Sequence, residues 1–278
     1  MTYYKVLRGD RSFHGEEHTW SLPTADGPGS WQTCEQGFSL TRGPVKWYVP
    51  GCTVYLAECR DTDFRECRLI RPLTDTELAD LRIYVRGEHR LSDGVGVAAR
   101  SAIVEVAGSA MVRAYGSAMI MATGHAMVTA TDSVNVTASG FASVTAYDSV
   151  MVNAYDFVKV SAYDSAKVKA TGSAKVEATD SANVTATGSV MVRATGSASV
   201  VAFGYARVSA YNFVEVNAYE FAKVEATGSA KVMAYESARV TATGSAKVMA
   251  YESARVTATG YAKVTATGSA KVTATGNA

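Results

Sequence analysis

Beyond residue 72 the 278-residue chain has no proline, no cysteine and no tryptophan. All five Pro, all four Cys and all three Trp come earlier. Nothing after that point interrupts a hydrogen-bond ladder for want of an N–H, and nothing there does thiol chemistry. A run of 18 apolar residues is missing throughout, so no transmembrane helix and no membrane insertion are expected. Met1-Thr2-Tyr3-Tyr4-Lys5-Val6-Leu7-Arg8 lacks a basic segment followed by an apolar one, so no secretory signal is expected and the cytoplasm is the default compartment. Strong charge of one sign is missing too. Residues 1–100 carry 13 Lys/Arg against 14 Asp/Glu, and residues 101–278 carry 14 against 12. Neither part reads as a strongly basic nucleic-acid binder or an acidic DNA mimic.

Cys34, Cys52, Cys59 and Cys67 are separated by 17, 6 and 7 residues. Zinc sites use closer pairs, so the spacing predicts buried, reduced thiols rather than a metal site.

What fills the C-terminal part is a repeat of eight residues. Val104, Val112, Ile120, Val128 and so on to Val272 mark 22 positions, 21 of them Val. Ala follows two residues later from Ala114 to Ala274, with Val106 the exception, and Ala or Val precedes by two, as at Ala110, Val134 and Ala166. Alternation at period two is the mark of a strand with one buried face. Gly, Asp, Asn or Glu then leads a tight corner, usually followed by Ser, as at Gly172-Ser173 and Asp164-Ser165.

One octad cannot bury its own apolar face, so the octads must stack into a solenoid. Two octads per coil would give a flattened 16-residue coil, three a triangular 24-residue one. Bulky residues at the Ser position favour two. His125, Phe141, Phe157, Tyr205 and Phe221 fall in one column at a spacing of 16, with Phe213 and Tyr261 in the other. Ser229–Gly244 also recurs unchanged as Ser245–Gly260. The fold class expected is therefore mostly β: a flattened two-sheet β-solenoid over residues 101–278, in about 11 coils.

Residues 1–90 read as a small α+β head, with 91–100 as a linker. Strands are expected over Tyr3–Arg8, Val45–Val49, Thr53–Glu58 and Cys67–Ile70. Thr74-Asp75-Thr76-Glu77 is a capping box, predicting a short helix through about Tyr84.

The octads, cleanest in Ser269-Ala270-Lys271-Val272-Thr273-Ala274-Thr275-Gly276 and diverging in Ser173–Asp180, resemble bacterial and phage β-solenoid repeats. They are similar in flavour to the head repeats of trimeric autotransporter adhesins. Residues 5–70, with His14-Gly15, Trp20, Gly37-Phe38 and Val54-Tyr55-Leu56-Ala57-Glu58, more loosely resemble an uncharacterised domain found ahead of repeat arrays in phage and actinobacterial proteins. These resemblances imply a structural or adhesive task and no catalytic residues.

Three patterns carry candidate chemistry. His14-Gly15-Glu16-Glu17-His18 fits H-x-x-E-H, which binds metal when both His share a helical face. Gly15 and flanks that prefer strand or turn instead predict a loop, with His14, Glu17 and His18 as candidate ligands only. Thr-x-Thr pairs such as Thr241/Thr243 and Thr257/Thr259 resemble ice-binding ranks, but Met233, Tyr235, Met249 and Tyr251 interrupt them. Lys159, Lys175, Arg207, Lys223, Arg239, Arg255 and Lys271 form a column broken only by Met191. Such a column is either a solvated edge, partly balanced by Asp132, Asp148, Asp164 and Asp180 and by Glu220, Glu236 and Glu252, or a polyanion contact.

The function expected is a non-enzymatic structural or scaffold rod, with no cofactor. Val264, Ala266, Val272 and Ala274 keep the core pattern up to Ala278, so self-association through that edge is expected, as a tail-to-tail dimer ahead of a filament. The alternative is a binding module for a polyanion, a carbohydrate or, as in adhesins, a surface. Incorporation in a phage particle or extracellular assembly by a non-classical route fits either.

Overall fold

A computed structural model describes residues 2–12 and 18–278. Two long parallel sheets dominate, stacked as a solenoid. The front sheet has 13 strands, from Ile83–Tyr84 and Val95–Ala98 to Lys271–Gly276, and the back sheet has 12, from Glu88–Leu91 to Lys263–Ala266. The chain alternates between them, so every strand pairs with the next but one in sequence.

The coil is 16 residues. Val160 pairs with Val176 and Val176 with Val192 in the front sheet, while Val168 pairs with Val184 in the back. Phe141 stacks on Phe157 with ring centroids 5.4 Å apart and planes 10° apart, and Tyr205 stacks on Phe221 at the same distance. The triangular alternative would have placed Phe141 beside residue 165.

Inward positions are the valines and alanines of the octad, and these form one continuous buried core. Outward positions between them are mostly exposed. Hydrogen bonding runs from rung to rung through the corners as well as the strands. Lys175 N–H donates to the Val158 carbonyl (2.9 Å) and Ser173 N–H to the Asp156 carbonyl (2.8 Å). Each corner has one residue at positive φ, between 54° at Asp164 and 88° at Gly188. That left-handed conformation explains why the corner is mostly Gly, Asp or Asn; Arg100, Glu220, Glu236 and Glu252 hold it as well.

The sheets reach further back than the octads. Val95–Ala98, within the stretch expected to be a linker, pairs in register with Met111–Ala114. Earlier still, Ile83 pairs with Val97 and His89 with Val104, at offsets of 14 and 15 rather than 16. Here Tyr84, His89 and Leu91 replace the Val and Ala of later rungs. Tyr84 and His89 stack at 4.6 Å. Gly96 occupies the valine column because a Cβ there would lie 2.9 Å from Leu91 Cδ2 and 3.3 Å from Tyr84 Cε2. Bulky side chains thus fill the first coil, and glycine makes the room.

The head is an antiparallel sheet with little helix. Its strands β1 (Tyr3–Leu7), β2 (Gln32–Thr33), β3 (Thr53–Cys59) and β4 (Glu66–Pro72) lie in the order β1-β3-β4-β2. The strand expected over Val45–Val49 is instead a 3-10 turn at Pro44–Lys46. Pro44 opens it, and its carbonyl accepts from Trp47 and Tyr48 N–H. Helix α1 (Asp75–Asp80) has the capping box: Thr74 Oγ1 accepts from Glu77 N–H, and the Glu77 carboxylate accepts from Thr74 N–H. It stops short of Tyr84 because Arg82 turns to φ 60° and Ile83 enters the front sheet.

The expectation of reduced thiols is overturned at one pair. Antiparallel pairing of β3 with β4 sets Cys59 opposite Cys67, and the two form a disulfide. Cys34 and Cys52 are free, and Cys52 is buried in a different cluster from Cys67. That second cluster seats the head on the rod: Val6, Tyr48, Val54 and Leu78 pack with Ile83, Val97 and Ala99 of the first rungs. Arg113 on the front sheet donates to the Val45 carbonyl of the head. No helix among the described residues is long and apolar enough to cross a membrane.

The inward face can be tested directly. Ala178 is fully buried, whereas Thr187 is exposed at a corner. Ala178→Leu is expected to cost ~1–3 kcal/mol by overpacking, and Thr187→Leu much less. Thermal melts compare the two, and equal melting temperatures would contradict the assignment of faces.

Candidate functional site

The cationic column is real and lies on the outer surface of the front sheet. Lys159, Lys175, Met191, Arg207, Lys223, Arg239, Arg255 and Lys271 each open a strand, and each is the register partner of the next. The corner before each strand ends in a small polar or aromatic residue, then an inward Ala or Val, so the following side chain must point out. All seven cations are exposed.

Met191 breaks the column but not the charge. Arg193, two residues along the same strand, points out on the same face. Its guanidinium lies 5.6 Å from the Tyr211 ring centroid on the neighbouring corner. Every rung from Lys159 to Lys271 therefore carries one outward cation. The parallel column on this face holds Ser161, Glu177, Arg193, Ser209, Glu225, Thr241, Thr257 and Thr273. Glu177 and Glu225 are its two acids. Around Met191 and Ser209 the face dips into an open depression of about 630 Å³, rimmed by Lys175, Arg193, Arg207 and Lys223.

Among the described residues none of these eight cations forms a salt bridge. On the back sheet, by contrast, Lys231 pairs with Glu215 at 2.9 Å. The acidic corner columns have other work. Asp164 accepts from Asp148 N–H (3.3 Å), Asp148 from Asp132 N–H (3.2 Å) and Asp132 from Gly116 N–H (2.9 Å). Glu220 likewise accepts from Gly204 N–H at 2.8 Å. These carboxylates cap corner amides of the preceding rung instead of balancing the cations.

Aromatic residues form ladders along the corners. His125, Phe141 and Phe157 stack consecutively. So do Phe203, Tyr219, Tyr235 and Tyr251, with centroids 4.8–4.9 Å apart. Burial and the flanking Tyr219 and Tyr251 push the Tyr235 hydroxyl pKa up. This second ladder escapes a reading confined to the Ser position, although its spacing of 16 is present in the sequence. Tyr205 and Phe221 project two residues before Arg207 and Lys223, so rings border part of the cationic column.

The other candidates form no site among the described residues. His14 and Glu17 lie outside the described residues. His18 packs edge-on against Phe38 (4.9 Å) and Trp20 (5.7 Å). Among the described residues no group of three or more His, Cys, Asp or Glu could hold a metal ion. Thr241, Thr257 and Thr273 stack over only three front rungs, and on the back sheet Met233 and Met249 precede Thr265. The edge residues Val264, Ala266, Val272, Ala274 and Ala278 are at least partly exposed: Val272 is 41% exposed.

An unneutralised ladder of like charges at ~4.8 Å is destabilising. Arg239→Thr is expected to stabilise the chain by ~0.2–1 kcal/mol, and raising the salt should raise the wild-type melting temperature. A lower melting temperature for Arg239→Thr would show that the cations are internally paired.

No family model, curated protein or solved structure matches this chain.

Proposed function

We propose that the chain is a non-enzymatic structural rod of bacterial or phage type, with the head seated at one end. The observation that supports this most is the unbroken 16-residue register from Val95 to Gly276. A core of Val on Val and Ala on Ala, bonded through both strands and corners, resists bending and local opening. At ~4.8 Å per rung the rod is roughly 60 Å long.

Within these 278 residues, the rung at Lys271–Gly276 is the surface through which self-association is expected. Val256 in the preceding front rung is 2% exposed and Val272 is 41% exposed. A rung of this pattern is completed by another rung of the same pattern. In a preparation of these 278 residues that rung comes from a second copy, tail to tail, since a two-fold pair uses one surface twice; a filament is the second form. Such a rod, made in the cytoplasm, suits incorporation in a phage particle or extracellular assembly by a non-classical route. The Cys59–Cys67 disulfide suits such a destination better than a reducing cytosol.

Sedimentation tests the association. The 278-residue chain is expected to run as a dimer, and a charged, Pro-containing extension after Ala278 to give a monomer. A monomer at high concentration without the extension would overturn it.

A further inference from the structure

The rod reading leaves the cationic front face without a task, and it would stand with that face empty. We propose that the front face from Lys159 to Lys271 binds a linear acidic polysaccharide lying along the rod, one acidic group to each rung.

Continuity is the first argument. Arg193 makes good the gap at Met191, so cations run along eight successive rungs. Scattered surface lysines would not preserve one per rung. The back sheet does not: its Asn183 and Ser199 rungs hold no cation, and Glu215 neutralises Lys231.

Spacing chooses the polymer. The face offers one charge per ~4.8 Å. Duplex DNA carries one phosphate charge per ~1.7 Å of axis, and a single strand within it one per ~3.4 Å. A duplex, or a strand held at duplex spacing, therefore brings more charge than the face can neutralise. A chain of sugars with one carboxylate or sulfate per residue is sparser and better matched.

The chemistry beside the cations points the same way. Glu177 and Glu225 line the two ends of the depression, on the rungs of Lys175 and Lys223. Their carboxylates can accept hydrogen bonds from the several free hydroxyls of a sugar ring, which a DNA phosphodiester backbone does not offer. Ser209, Thr241, Thr257 and Thr273 add hydroxyls along the same column. Tyr211, on the corner beside Arg193, offers a ring for a sugar face. Arg193 and Arg207 are the central anion contacts because they project from adjacent rungs at the depression.

Co-sedimentation of the full chain with polygalacturonate tests this, with neutral dextran and oligothymidylate as comparisons. Binding to polygalacturonate is expected, weakening with salt, with none to dextran and weaker binding to oligothymidylate. The double variant Arg193→Ser/Arg207→Ser should lose at least tenfold in affinity, and Lys167→Ser/Lys169→Ser on the back sheet less than twofold. Lys223→Glu alone should lose several-fold, which keeps the test open if the double variant melts early. No binding to polygalacturonate, equal binding to dextran, tighter binding to oligothymidylate, or folded front-face variants that bind like wild type would each overturn the proposal. Sedimentation of the rod itself is unaffected by any of these results, so the two readings fail separately.

Discussion

From Val95 onward everything in the rod depends on one constraint: each residue must sit directly over the residue 16 positions earlier. The parallel ladder imposes it, because shifting a strand by one residue would turn every Val and Ala outward. Inside, the constraint selects a repeating pair of small apolar shapes, since Val176 must fit between Val160 and Val192. Outside, it stacks like upon like. Rings then gain from stacking, at ~1 kcal/mol a pair. Carboxylates at the corners would repel, but Asp164, Asp148 and Asp132 each accept a backbone N–H from the preceding rung. The cations on the front face form no salt bridge among the described residues, and what sets the face apart is that they run without a gap over eight rungs.

Much of this was legible in the sequence because the period is exposed in its exceptions. Alternation of Val and Ala with polar residues gives the strand faces, and the bulky outliers from His125 to Phe221 give the coil size, as their stacking shows. The start of the solenoid was not legible. Ile83–Tyr84, Glu88–Leu91 and Val95–Ala98 belong to the sheets, yet Tyr84, His89, Leu91 and Gly96 depart from the octad because the first coil is closed by large side chains. Nor does spacing alone reveal the Cys59–Cys67 bridge, which arises from the pairing of β3 with β4.

The cationic column illustrates a third case. Its residues were visible, but Met191 looked like a break until the strand direction placed Arg193 on the same face. The acidic columns read as its counter-charges, whereas Asp132, Asp148, Asp164 and Glu220 cap corner amides instead. Sequence spacing gives the column; only the hydrogen bonds assign the acids. The head shows the opposite balance, since its short strands carry no period and its packing on Ile83, Val97 and Ala99 joins it to the rod through ordinary apolar contacts.

The register itself is open to a direct chemical measurement. Corner residues Ser173 and Ser189 are 16 apart in one column, whereas Ser173 and Ser197 would be neighbours only on a 24-residue coil. Disulfides form readily when Cα atoms lie ~4.4–6.8 Å apart, which includes the ~4.8 Å rung spacing. With mild oxidation and peptide mapping, Ser173→Cys/Ser189→Cys should cross-link within the chain and Ser173→Cys/Ser197→Cys should not. Cross-linking of the second pair without the first would contradict the two-sheet coil and, with it, the continuous cationic face.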